Sequence, residues 1–230
     1  MATGGPFLLA FAAALLAAAV AAAADTAAQR LSLADSRMAS TPEARNTLKY
    51  LTSCALDEHT VLTADHQGVS YEFPGGMGLA PDWQARAMTP EEQRWVSACM
   101  LARTNHFGVA VQISMRSRFP SQAPSLQVSP AEAQQYSLYE GTFFGNLFAQ
   151  QPVSYVCSPP HSRPARETLT AQRRVCALPK SRLKGVSMTA CGMVHVGACK
   201  PAAFEQDGKQ YREAISVYLP PRPAEFAARP

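Results

Sequence analysis

Residues 89–116 read TPEEQRWVSACMLARTNHFGVAVQISMR, and this stretch contains the two kinds of secondary structure that decide the fold. Thr89 is followed three residues later by Glu92, a capping-box pattern that predicts a helix starting at Pro90. Apolar residues then share one helical face, at Trp95, Cys99 and Ala102. Beyond Gly108 the sequence alternates strictly between apolar and polar residues, which predicts a half-buried strand over 109–116.

Helix starts of the same design recur at two other places. Thr41-Pro42-Glu43 and Ser129-Pro130-Ala131-Glu132 each combine a hydroxyl at the N-cap with Pro and Glu in the first turn. They predict helices over about 42–55 and 130–140. Further strands are predicted at 60–64, 69–73, 153–157, 186–196 and 213–219. Because short turns join neighbouring strands into hairpins, we expect an α+β fold with an antiparallel sheet, about three helices and disulfide bonds.

The first 24 residues contain no charged side chain and are rich in Ala. With the small residues before Asp25, they predict a signal peptide cleaved after Ala24; an uncleaved membrane anchor is the alternative. Cleavage would leave no stable membrane span and a periplasmic or secreted protein. We expect residues 25–40 to be a flexible lead-in and 221–230 a tail. A single domain is predicted between them, at 41–220, with a cysteine-containing C-terminal part at about 151–220.

All six cysteines follow the predicted leader, at Cys54, Cys99, Cys157, Cys176, Cys191 and Cys199. In an oxidising compartment an even set of this kind predicts disulfides, and six cysteines allow 15 connectivities. Cys54 and Cys99 lie on two amphipathic helices that should pack together, so we predict that these two are bonded. Cys157–Cys176 and Cys191–Cys199 would then follow by exclusion.

Three segments resemble a family of exported, cysteine-containing bacterial proteins of unknown function. They are RWVSACMLAR at 94–103, EGTFFGN at 140–146 and YLTSC at 50–54. The resemblance extends over about residues 46–200. It implies export and disulfide bonds, and it carries no catalytic residue over to this chain.

The sequence contains none of the GxSxG, HExxH, P-loop or GxGxxG patterns, so common hydrolase, metalloprotease and nucleotide-binding classes lack support. Cys191, His195 and Cys199 have a spacing that could suggest a metal site. On a strand, however, Cys191 and His195 would lie about 13 Å apart, too far for one zinc ion. We therefore expect neither a metal nor a cofactor.

Glu140 is the one candidate catalytic residue, because Tyr136, Tyr139, Phe143 and Phe144 surround it in the sequence. A carboxyl group in an aromatic cleft can act as a general acid, and aromatic faces stack on sugar rings. The alternative is that the aromatic residues belong to the core and Glu140 ends a helix. A second carboxylate is not identifiable, so the sequence does not favour an enzyme.

Seven cations accompany one acid, Glu167, between residues 163 and 185: Arg163, Arg166, Arg173, Arg174, Lys180, Arg182 and Lys184. We expect this stretch to be mostly an exposed loop that could bind anionic cell-envelope polymers. It contains no aromatic residue for base stacking, so nucleic acid is not an expected partner. The leading hypothesis is an exported binding or structural module, and the alternative is an envelope glycan hydrolase with Glu140 as acid.

Overall fold

The computed structural model describes residues 39–118, 123–159, 166–200 and 204–221. The predicted signal peptide, nearly all of the predicted lead-in and most of the predicted tail lie outside these residues. The described part contains four α-helices: α1 (Pro42–Ala55), α2 (Pro90–Arg103), α3 (Pro130–Gln135) and α4 (Arg166–Ala171). No helix in the described residues has the length and apolar character needed to cross a membrane.

Seven strands form one mixed sheet: β3 (Ser114–Ser117), β4 (Leu138–Asn146), β5 (Val153–Ser158), β6 (Pro179–Leu183), β7 (Val186–Thr189), β8 (Val194–Ala198) and β11 (Ala214–Leu219). Their order in the sheet is β3-β11-β4-β5-β8-β7-β6. All neighbours are antiparallel except β5 and β8, which are parallel. Two separate hairpins consist of β1 (Val61–His66) with β2 (Val69–Pro74), and β9 (Phe204–Gln206) with β10 (Lys209–Tyr211). The predicted α+β class is confirmed.

The helices α1 and α2 begin where the sequence predicted, with the expected capping hydrogen bonds. At α2 the Thr89 hydroxyl accepts a hydrogen bond from the Glu92 amide at 3.2 Å, and Glu92 Oε2 accepts one from the Thr89 amide at 2.7 Å. At α1 the Thr41 hydroxyl accepts a hydrogen bond from the Ala44 amide at 3.1 Å. These bonds satisfy first-turn amides that have no partner within the helix, which fixes where each helix begins.

The sheet separates the two largest of three apolar clusters among the described residues, because side chains alternate along its strands. On one face, Phe143 of β4 packs in the main core with Trp95 of α2 and Leu51 of α1. On the other face, Phe144 packs in a smaller aromatic cluster with residues of β5 and of the β9–β10 hairpin, namely Tyr155, Phe204 and Tyr211. The molecule therefore has three layers: two long helices, the sheet, and the small β9–β10 hairpin.

Three predicted elements differ from the structure. The third helix ends at Gln135 rather than near residue 140, because the aromatic sequence that follows forms β4 between β11 and β5. The strand predicted at 109–116 is limited to β3, the part that pairs with β11. The single strand predicted at 186–196 is two strands, β7 and β8, separated by a turn in which Gly192 has a φ of 75°.

Three disulfides join the six cysteines, and the predicted Cys54–Cys99 bond is confirmed with a Cα separation of 5.9 Å. The other two predicted pairings are wrong, because the bonds are Cys157–Cys199 and Cys176–Cys191. The physical reason is the sheet order: β5 lies directly beside β8, so Cys157 and Cys199 come together at the ends of adjacent strands. Cys176 and Cys191 lie before β6 and after β7, where the two ends of a hairpin meet.

A charged contact holds α2 against the start of β11. Arg94 donates hydrogen bonds from Nε and Nη2 to the two carboxylate oxygens of Glu213, each at 2.8 Å. Burial acts to raise the pKa of Glu213, but the hydrogen bonds and charge of Arg94 outweigh it and hold this pKa below its ordinary value. Glu213 is therefore ionised at neutral pH and has no proton to donate.

The lowered pKa of Glu213 predicts a loss of stability in acid. The folded state binds this proton less tightly than the unfolded state, so the stabilisation is complete above the ordinary Glu pKa of about 4.3 and disappears as pH falls through the lower folded value. Thermal midpoints at pH 6, 4 and 3 should fall more steeply for the wild type than for Glu213→Gln. The exposed Glu205→Gln variant is the control, and its profile should match the wild type; equal slopes for the wild type and Glu213→Gln would contradict the prediction.

Candidate functional site

The basic stretch at 163–185 is not one exposed loop, so that prediction is wrong. Arg163 lies outside the described residues, residues 166–171 form α4, and residues 179–183 form β6. Between α4 and β6 the chain is buried from Arg174 to Leu178. The seven cations predicted to form one surface therefore have different environments.

Arg174 lies in the interior, with a side chain only 2% exposed. Its Nε donates a hydrogen bond to Glu140 Oε2 at 2.9 Å. Its Nη2 and Nη1 donate to the carbonyl oxygens of Ala102 and Thr104, at 2.7 and 3.0 Å. The last carbonyls of a helix have no partner within the helix, and a cation there also interacts favourably with the helix dipole. Arg174 thus joins the end of α2 to β4 and is unavailable for a polyanion.

Glu140 is enclosed at the other end of this contact, with a fully buried side chain. Its Oε1 has no hydrogen-bond partner among the described residues. Burial raises the pKa of Glu140, and the Arg174 guanidinium acts in the opposite direction. Because Glu140 faces Arg174 rather than an open cleft with a second carboxylate, its position does not favour a role as general acid. Its neighbours Phe143 and Phe144 are fully buried core residues.

A Ser–His contact in the sheet also invites a catalytic interpretation. Ser158 Oγ lies 2.7 Å from His195 Nε2 and 3.0 Å from the Ala177 carbonyl oxygen. A carbonyl only accepts, so Ser158 donates its proton to Ala177, and His195 Nδ1 accepts from the Gly197 amide at 3.3 Å. His195 Nε2 is therefore the donor toward Ser158. To act as a catalytic base, His195 would have to accept a hydrogen bond from the Ser158 hydroxyl. This pair is therefore not arranged to activate the serine.

The exposed cations that remain are concentrated on one hairpin. We use the term cationic hairpin for residues 179–189, which comprise β6, the Lys184-Gly185 turn and β7. Both turn residues have positive φ values, 47° and 83°, as a two-residue turn between twisted strands requires. Lys180, Arg182 and Lys184 are all exposed. β6 is the last strand of the sheet, so the hairpin lies at the sheet edge.

The base of the cationic hairpin is fixed, whereas its tip is exposed. The Cys176–Cys191 disulfide closes the chain on either side of it. Arg166 of α4 also donates a hydrogen bond to the Pro179 carbonyl oxygen at 2.9 Å, which fixes the first residue of β6. At the tip, Leu183 and Val186 are directly paired and are 64% and 43% exposed. The hairpin therefore presents its cations on a constrained backbone.

No ion pair among the described residues involves the cations of the hairpin. The sequence has no Asp or Glu between Glu167 and Glu205, so acidic neighbours on adjoining strands are also scarce. A shallow cavity of about 570 Å³ lies beside the hairpin, and Arg182 and Gly185 are among the residues that line it. Positive charge without internal compensation favours contact with an anionic partner.

The sequence predicted which residue types form this surface but missed its shape. The signal that could have revealed the hairpin is Lys184-Gly185 between two short alternating segments, a pattern typical of a tight turn. The exposed apolar pair Leu183 and Val186 was also missed. Among known proteins, no family model, no curated protein and no solved structure matches the chain.

Proposed function

We propose that the chain is an exported, disulfide-stabilised module that binds anionic cell-envelope polymers through the cationic hairpin, in the periplasm or outside the cell. The observation that carries this proposal is the set of exposed cations Lys180, Arg182 and Lys184 on a disulfide-closed hairpin, with no ion pair to any described acid.

The cysteines support the exported location. No described cysteine is free, and disulfides persist in oxidising compartments rather than in the cytosol. The apolar, charge-free first 24 residues of the sequence are consistent with a signal peptide that would direct the chain there.

Charge and geometry together favour a polymer as the partner. Lys180 and Arg182 are two residues apart on β6, at most about 7 Å along the chain, so they can contact successive charges of an extended polyanion. Fixing the hairpin base in advance reduces the entropy lost on binding. An alternative role for these cations is to prevent edge-to-edge association of sheets, as charged residues on edge strands commonly do. In that role alone, the hairpin would have no specific affinity for polyanions. Glu140, the residue on which the glycan hydrolase alternative depends, is enclosed beside Arg174.

The test compares two pairs of substitutions that remove the same charge. Lys180→Gln with Arg182→Gln should weaken binding to polygalacturonate or polyphosphate by about 3- to 10-fold at low salt, since each exposed ion contact contributes about 0.2–1 kcal/mol. Lys49→Gln with Arg212→Gln removes one exposed Lys and one exposed Arg elsewhere and should leave the affinity close to that of the wild type. Binding is measured by titration calorimetry at two salt concentrations.

Added salt should weaken binding of the wild type, because the screening length falls to about 3 Å at 1 M. Equal losses for the two variant pairs would show nonspecific attraction and would contradict the proposal. An anionic lipid membrane is the other surface that the hairpin could bind, with the exposed Leu183 and Val186 inserted into it. Vesicles of phosphatidylglycerol and phosphatidylcholine test this alternative. Binding to these vesicles without binding to either polymer would also contradict the proposal.

A further inference from the structure

A second and larger cavity, of about 770 Å³, lies between the start of α2, the β4–β5 connection and the β9–β10 hairpin, and it shares no lining residue with the cavity beside the cationic hairpin. Its size is within the range of small-molecule sites in proteins. Residues with polar side chains line it, among them Arg94, Gln150, Gln151, Tyr155, Gln210 and Tyr211.

Two of the three charged residues that line this cavity have a hydrogen-bonded partner. Arg94 is bound by both oxygens of Glu213, and the Tyr155 hydroxyl donates to Asp207 Oδ2. The remaining charged residue in the lining, Lys209, balances Asp207 in formal charge. When Glu213, which is paired with Arg94, is counted with the lining residues, two positive and two negative charges lie at this wall, so it does not favour a strongly anionic or cationic ligand.

Several neutral hydrogen-bonding groups at the cavity have no protein partner among the described residues. The Tyr211 hydroxyl makes no hydrogen bond there, although the tyrosine ring itself is held in the aromatic cluster. The exposed amide side chains of Gln150, Gln151 and Gln210 also line the cavity and have no hydrogen-bond partner among the described residues. Burial and the Asp207 carboxylate raise the pKa of Tyr211, so this hydroxyl keeps its proton at neutral pH.

The two tyrosine rings at the cavity are held by the core. Tyr155 and Tyr211 pack against Phe144 at ring-centroid distances of 5.4 and 5.5 Å. The Cys157–Cys199 disulfide links β5, which carries Tyr155, to the end of β8. Because the core fixes the two tyrosine rings, ordering them on binding costs less conformational entropy.

We infer that this cavity binds an uncharged, hydroxyl-rich ligand, a neutral saccharide. Amide and phenol groups can each donate and accept, which matches hydroxyls that also do both. Apolar residues such as Pro90, Ala149 and Val153 line the cavity between the polar groups, and they can contact the C–H faces of a sugar ring. This ligand chemistry differs from that of the polyanion, and the inference does not depend on the cationic hairpin.

The test uses the chain produced with its own leader and recovered from an oxidising compartment. Neutral oligosaccharides of glucose, galactose and N-acetylglucosamine are titrated at 1 M salt, where charge contacts at the cationic hairpin are screened. At least one should bind, and Tyr211→Phe should weaken it by about 3- to 10-fold through loss of one hydrogen bond. Tyr218→Phe is the matched control. Tyr218 stacks on Tyr139 and does not line the cavity, so loss of its hydroxyl should leave the affinity for the saccharide unchanged.

Tyr211→Phe removes a hydroxyl without a protein partner, so its thermal midpoint should match that of the wild type. Three outcomes would overturn the inference: no saccharide in the panel binds at millimolar concentration, a capped neutral oligoalanine peptide binds while the saccharides do not, or Tyr211→Phe and Tyr218→Phe bind equally well. None of these outcomes bears on polyanion binding at low salt, so failure here is distinguishable from failure of the proposed function.

Discussion

Replacing Arg174 with Met is expected to lower the free energy of unfolding by about 3–5 kcal/mol, because it breaks a buried ion pair. The variant leaves the Glu140 carboxylate fully buried without its cation. It also removes the donors to the Ala102 and Thr104 carbonyl oxygens at the end of α2. Equilibrium unfolding in urea, followed by tryptophan fluorescence, measures the loss.

Arg173→Met is the matched control, because Arg173 is the adjacent residue, is exposed and forms no ion pair with a described acid. Its unfolding free energy should stay within about 0.5 kcal/mol of the wild type. The double variant Arg174→Met with Glu140→Leu should be more stable than Arg174→Met alone, since it no longer buries an unpaired carboxylate. A double variant as unstable as the single one would show that the carboxylate is not the source of the cost.

The pair Arg173-Arg174 illustrates what the sequence could not predict. The two residues are chemically identical neighbours, yet one is exposed and the other is buried. The difference arises from partners far away in sequence, Glu140 on β4 and the carbonyls at the end of α2. Local composition indicates that a segment is basic, but only the tertiary structure determines which cation is neutralised.

Features that depend on neighbouring residues were predicted well. The N-terminal capping signals fixed the starts of α1 and α2, and their apolar faces led to the Cys54–Cys99 pairing. The other two disulfides depend on β5 lying beside β8 in parallel, a long-range pairing without a local signal. The large cavity was missed for the same reason, because α2, the β4–β5 connection and the β9–β10 hairpin contribute to it from separate parts of the chain.

The second large effect is expected from removing the disulfide that was predicted correctly. Cys54→Ala with Cys99→Ala should lower the free energy of unfolding by about 4 kcal/mol. The bond joins residues 45 apart in sequence, so the unfolded chain gains the conformational freedom of a long loop when the bond is absent. Cys176→Ala with Cys191→Ala opens a loop of 15 residues and should cost less, about 3 kcal/mol.

The order of these two losses distinguishes the causes of stabilisation. If restriction of the unfolded chain dominates, the Cys54–Cys99 pair costs more, and urea unfolding of the two double variants side by side should show a difference of about 1 kcal/mol. The reverse order would mean that native packing around the cationic hairpin outweighs loop length.

Polyanion binding provides a second readout for the same two double variants. Binding should survive loss of the Cys54–Cys99 bond, which lies between α1 and α2. It should weaken on loss of the Cys176–Cys191 bond, because the base of the cationic hairpin is then no longer closed.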